Sequence, residues 1–220
     1  MSSSPDSAGR ARRPAATTRE AFVQLESCAG RALTPGNAGP IPSADASSVI
    51  DFWRAAGPER WFAKDPDFDR RFRERFLVLH DAAANGQLAD WPATPNGALA
   101  LVLLLDQFPR NAFRDTPRMY ATDAMAREVA NAAISAGHDQ AFETELRPFF
   151  YLPLAHSEDL GDQDRAVALS QPLGQRYLSH AERHRDIIRR FGRFPHRNLI
   201  LGRMMKPEEQ LFLDEGGFAG

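Results

Sequence analysis

Cysteine is almost absent from this sequence: Cys28 is the only one in 220 residues. A lone thiol excludes an internal disulfide and any metal site built from several cysteines, and it fits a reducing compartment. Long apolar runs are missing too. The longest, Ala98 to Leu105, falls far short of the roughly 18 residues that span a bilayer. A cytoplasmic protein with no membrane role is therefore expected. Neither sign of charge dominates, since 27 Lys and Arg stand against 29 Asp and Glu for a net charge of −2. Duplex binders carry a basic excess that neutralises phosphates, so nucleic acid is not an expected partner. No P-loop, dinucleotide fingerprint or nucleophile elbow occurs, and Ser157 lacks the flanking glycines of a hydrolase elbow. Nothing in the chain calls for a cofactor.

What is present divides into two parts. Residues 1–18 are rich in Ser, Ala, Arg and Pro, and Arg10, Arg12 and Arg13 are not followed by the apolar core of an export signal. Residues 19–31 can form one short helix carrying Phe22, Val23 and Leu25. Thr34 to Ser43, with three prolines and two glycines, reads as linker. Residues 1–45 are thus expected to be a largely disordered extension. Residues 46–220 form a single domain, and a hydrophobic content of 43% supplies a sizeable core.

Helix punctuation recurs through that domain, with little to suggest strands. Ser47 can cap a helix carrying Val49, Ile50, Phe52 and Trp53. Asp65-Pro66 is a cap with proline at the first helical position, and Phe68, Phe72, Phe76 and Leu79 follow as one apolar stripe. Thr94-Pro95 opens a helix whose segment from Ala98 to Leu105 is apolar on every side and therefore central. Thr116-Pro117 opens another, bearing Met125, Val129 and Ala133. Pro148 and Pro153 predict kinks or two short helices in the next apolar stretch. Helices are expected at about 162–171 and 175–190, and a last one begins at Lys206-Pro207. The fold class is all-α, an antiparallel helical bundle or a tetratricopeptide-like helical array.

Three polar clusters interrupt the apolar pattern. Asp106 follows eight apolar residues, so its carboxylate needs a cationic or hydrogen-bonding partner, and Gln107, Arg110 and Asn111 stand close by. His156 and Glu158 follow a strongly apolar segment and read as an acid–base pair. From His180 to Lys206 there is a local excess of six positive charges, in which Gly192 to Asn198 packs Arg193, His196, Arg197 and Asn198 into one turn-forming stretch. Arginine presents a planar donor fork suited to carboxylate or phosphate. Each cluster also has a structural reading as ion pairs that fix helix junctions. His180 and His184 lie one turn apart, but their order is not the zincin motif and no third ligand is at hand, so no metal site is expected. Phe108-Pro109-Arg110-Asn111 is echoed by Phe194-Pro195-His196-Arg197-Asn198.

The ordered set of these strings resembles an uncharacterised bacterial family, domain of unknown function 924. The strings are Asp106 to Asn111, His156-Ser157-Glu158, Asp162-Gln163, His184 to Ile188, Phe191 to Asn198 and Leu201-Gly202-Arg203; Trp53, Trp61-Phe62 and Leu88 to Trp91 also fit. The likeness spans about 48–218 and implies an all-helical, tetratricopeptide-like fold, with no reaction attached. The leading expectation is a small-molecule site. Asp106, Arg110, Asn111, His184, Arg193, Arg197 and Asn198 would bind a small anion, and His156, Glu158 and His196 would be the acid–base groups. The alternative is a scaffold that holds a protein or peptide partner.

Overall fold

The computed structural model describes residues 45–219, so the expectations for the N-terminal extension lie outside the described residues. The α-helices are α1 (Ala46–Ala56), α2 (Pro58–Trp61), α3 (Pro66–Ala84), α4 (Pro95–Val102), α5 (Phe108–Ala112), α6 (Asp123–Ser135), α7 (Pro148–Ala155), α8 (Leu160–Ser170), α9 (Gln175–Phe191) and α10 (Pro207–Asp214). The fold is all-α, and no strand occurs among the described residues. No described helix is long and apolar enough to cross a membrane.

The local chemistry explains most boundaries. Asp65 accepts from the N–H groups of Asp67 and Phe68, and Thr94 from that of Gly97, each ahead of a proline at the first helical position. Two expectations are corrected. The first helix is capped by Asp45, not Ser47, because the Asp45 carboxylate accepts from the N–H of Ser48 while the Ser47 hydroxyl turns back onto it. Thr116-Pro117 opens only a 3-10 turn, Pro117–Tyr120, and α6 starts afresh at Asp123. The stretch with Pro148 and Pro153 is one helix, α7, with all eight residues buried.

The three segments from Pro95 to Ala112 run as one rod through the centre, α4 passing through a π-turn (Leu103–Gln107) into α5. Pro109 accounts for the π-turn: it has no N–H to offer the carbonyl four residues back, Leu105, and its ring crowds that oxygen. The helix widens instead. The N–H of Phe108 reaches back five residues to Leu103, and the two released carbonyls take side-chain donors. His80 Nδ1 donates to Leu104 at 2.9 Å and Thr122 Oγ1 to Leu105 at 2.6 Å. Buried backbone acceptors are thereby satisfied.

Around this rod, α1 and α6 pack on α4, α3 packs on α5, and α8 lies against both α7 and α9. Trp53, Phe68, Phe72, Phe108 and Phe149 form a fully buried aromatic cluster, with Trp53 set edge-on to Phe149 at 5.3 Å. Gly97 is required where α4 passes Trp91, because a Cβ there would collide with the Trp91 carbonyl. The core thus fixes two rigid neighbours, the rod and α7, whose polar ends form the site.

Candidate functional site

Asp106 lies in the π-turn with its side chain fully buried. A carboxylate there persists only if it is surrounded by donors. Arg110 Nη1, one turn on, stands 3.1 Å from Oδ1; Gln107 Nε2 donates to Oδ2 at 2.7 Å; and His156 Nδ1, at the C-terminal end of α7, lies 2.8 Å from Oδ1. Burial alone would raise the Asp106 pKa, but Arg110 and then His156 overcome it and hold the group ionised. An ionised carboxylate only accepts, so the proton sits on His156 Nδ1 and the lone pair on Nε2. No hydrogen bond to that Nε2 is formed among the described residues. Burial, aided by Arg110, keeps the ring below the ordinary imidazole range, with Asp106 acting in the opposite direction. His156 is therefore neutral at pH 7 and available as a proton acceptor.

The His156 ring forms part of the wall of a cavity of about 260 Å3. Arg110 and Arg197 flank it, and both reach Asp123 at the start of α6. Arg110 grips that carboxylate with two bonds of 2.8 and 3.0 Å, while Arg197 Nη1 stands 3.5 Å from the same Oδ2. Arg197 Nη2 donates at 3.0 Å to the carbonyl of His156, tying the histidine's backbone to the 193–198 segment. Its guanidinium lies between the rings of Tyr120 and Phe194, 4.7 and 4.5 Å from their centres. Burial, then the neighbouring Arg110, lowers the Arg197 pKa, the mark of a cation short of counter-charge. Its Nε, the hydroxyl of Tyr120 and Nδ1 of His196 are buried without a hydrogen-bond partner, and all three side chains line the cavity. Burial raises the Tyr120 pKa, so its phenol is a donor at neutral pH. His196 is pushed down to about 3 by burial and Arg197, which makes it a poor base near neutrality.

The sequence-derived set thus divides. Asp106, Arg110, Asn111, His156, His196 and Arg197 are brought together. Glu158 is not paired with His156, as had been expected: it accepts from Arg203 at 2.8 and 2.9 Å and from the N–H of Phe194. Arg193 and Asn198 turn away to the buried Glu209, with bonds of 2.6 and 2.8 Å from Arg193 and 3.0 Å from Asn198, so they anchor α10 instead of lining the cavity. His184 is buried behind it, its Nδ1 on the carbonyl of His180 at 2.9 Å. Sequence reasoning missed Tyr120 and Asp123. Asp123 has the signature of an ordinary first-turn acid, and Tyr120 stands in a turn with no motif around it.

The chain belongs to a bacterial family of proteins of unknown function, DUF924, whose model matches residues 49–217. It is similar to the solved structure of a protein of unknown function from Agrobacterium tumefaciens. The identity is 57%, covering 78% of this chain and 97% of that one, with a TM-score of 0.76. No curated protein matches the chain.

Proposed function

We propose that this protein binds a small organic anion in the cavity beside Arg197 and uses His156 as a proton acceptor on it. The observation that carries this reading is His156 itself: its tautomer is set by a buried, ionised Asp106, its other ring nitrogen makes no hydrogen bond among the described residues, and the residue lines a cavity that also holds Arg197. A carboxylate-held imidazole with one lone pair left over beside a cavity suits general-base work. A proton moves from a ligand or water O–H to Nε2, and the imidazolium that forms is stabilised by Asp106. Arg197 Nε and the Tyr120 hydroxyl are the donors still without partners, and an anion satisfies both.

The rival role, a tetratricopeptide-like scaffold for a peptide, would be favoured by polar clusters spread along an open groove. Here Arg110, Asn111, His156, His196 and Arg197 line one cavity at the end of α7, while Glu158, Arg193 and Asn198 are engaged away from it. The test is a thermal-shift panel of small carboxylates and phosphates against wild type, Arg197→Lys and His156→Gln. At least one anion should raise the wild-type Tm by several degrees through mass action. Arg197→Lys keeps a charge but loses the planar fork, so the shift should disappear while the unliganded Tm changes little. A panel without any shift, or shifts equal in the lysine variant, would overturn the assignment.

A further inference from the structure

We propose that the ligand is an amphiphilic organic acid, its carboxylate beside Arg197 and an apolar chain in a second chamber next to the first. This rests on the anion-binding reading above and adds the part of the ligand that does not react.

The second chamber measures about 330 Å3 and lies between α7 and α9. Its floor is made by Tyr151, Leu152, Ala155 and Ala181, all buried. Tyr151 directs its hydroxyl to Asp139 at 2.7 Å, so the one polar atom of that ring is already engaged, and Ser170 is the buried hydroxyl in the lining. Tyr177 stands half-buried at the side, and the exposed Arg176 and Arg183 form the rim. The first chamber, by contrast, has Arg110, His156, His196 and Arg197 in a largely apolar wall.

The two chambers share three wall residues, Phe62, Leu152 and His180. Small-molecule sites run from roughly 300 to 1,000 Å3, so each chamber alone sits near the lower edge and the pair falls well within the range. Phe62 strengthens the case. It leaves 55% of its surface exposed although it stacks on the buried Phe149 at 6.0 Å, and it belongs to both walls. A large ring kept at the junction of the two chambers gains contact when a chain passes beneath it. Burying successive methylenes supplies the affinity, while Arg197 fixes the head.

The experiment is calorimetric titration of the full chain with straight-chain carboxylates from acetate to octanoate. In wild type, affinity should rise roughly two- to fourfold per added methylene once the chain passes Leu152. Ala181→Leu fills the floor of the second chamber only; it should flatten that rise and leave acetate and propionate unchanged. Tyr177→Ala, at the half-buried side of the same chamber, gives the same readout should the floor variant fail to fold. If short acids bind in an Arg197-dependent way but chain length adds nothing, the second chamber is not a ligand site, and the anion assignment stands. If the rise survives both variants, the chain lies elsewhere and the inference fails. Loss of binding on Arg183→Ala and not on Arg197→Lys would reverse the ligand and overturn it equally. If no acid binds at any length, the inference fails, and the anion reading is then decided by the phosphates of the thermal-shift panel.

Discussion

Two short strings of similar composition meet at the centre of this protein and behave differently. In Phe108-Pro109-Arg110-Asn111 and Phe194-Pro195-His196-Arg197-Asn198, the phenylalanine is buried, the proline starts a short helical turn, and the arginine reaches Asp123. The asparagines then part. Asn111 donates to the Gln107 carbonyl, takes Arg114 on its oxygen and faces the cavity, whereas Asn198 turns inward to Glu209. The first string lies in an α-helix and the second in a 3-10 turn, so the residue after each arginine leaves in a different direction. The first string keeps its arginine in a tight cage of two carboxylates. The second leaves its arginine with half a counter-ion and an unpaired Nε. The first cation is saturated by the fold, and the second, next to the cavity, is not.

That contrast can be broken by experiment. Arg110→Ala removes the nearest cation from both Asp106 and Asp123 and should cost about 3–5 kcal/mol in chemical denaturation, the usual penalty for removing one partner of a buried pair. Arg197→Ala should cost less, about 1–3 kcal/mol, because Asp123 keeps its two bonds from Arg110 and only the His156 carbonyl loses its donor. Equal losses in the two variants would mean that the arginines are equivalent structural cations. A double variant sharpens the point, since sites that share Asp123 should depart from additivity.

The smallest effect is a pH dependence. In the fold, His80, His156 and His184 are all held below the ordinary imidazole range, burial being the leading cause in each. An unfolded chain takes up protons on these rings near pH 6.5, and the folded one resists. Stability from these groups is therefore complete above about pH 6.5 and declines as pH falls towards the lowered folded values. Denaturation midpoints should be lower at pH 5.5 than at pH 7.5, and His156→Gln should reduce that difference. An unchanged midpoint would show that the histidines gain partners that compensate when charged.

Much of the fold was legible from the chain because the signals are local. Asp65-Pro66 and Thr94-Pro95 are caps that act through their own neighbours, and the phenylalanine stripe from Phe68 to Phe76 needs only helical spacing. Asp106 was legible as a carboxylate in need of partners, since eight apolar residues precede it. Two of its partners, Arg110 and Gln107, stand in the same string, but the third, His156, was not legible. His156 and Glu158 are adjacent enough in sequence to suggest a pair, yet α7 ends at Ala155 and the chain turns, sending His156 to the rod and Glu158 to Arg203. The Pro117–Tyr120 turn was hidden for a related reason. Thr116-Pro117 carries a helix-start signal, and only packing against the rod decides that the helix restarts at Asp123, where Thr122 is needed for the Leu105 carbonyl.

The π-turn in the central rod makes the position of Asp106 a matter of phase. An ordinary helix from Pro95 to Ala112 would present its residues at steps of about 100°, and Pro109 imposes one wider turn within it. The leucine half and the Arg110 half of the rod are therefore rotated relative to each other, like two gears set one tooth apart. One half meshes with the aromatic core and the other with His156 and Asp123. His80 and Thr122 lock the offset from outside by occupying the carbonyls it releases. The orientation of the cavity wall is thus timed by residues that never touch the cavity, and a change at Pro109, His80 or Thr122 would reach His156 through rotation alone.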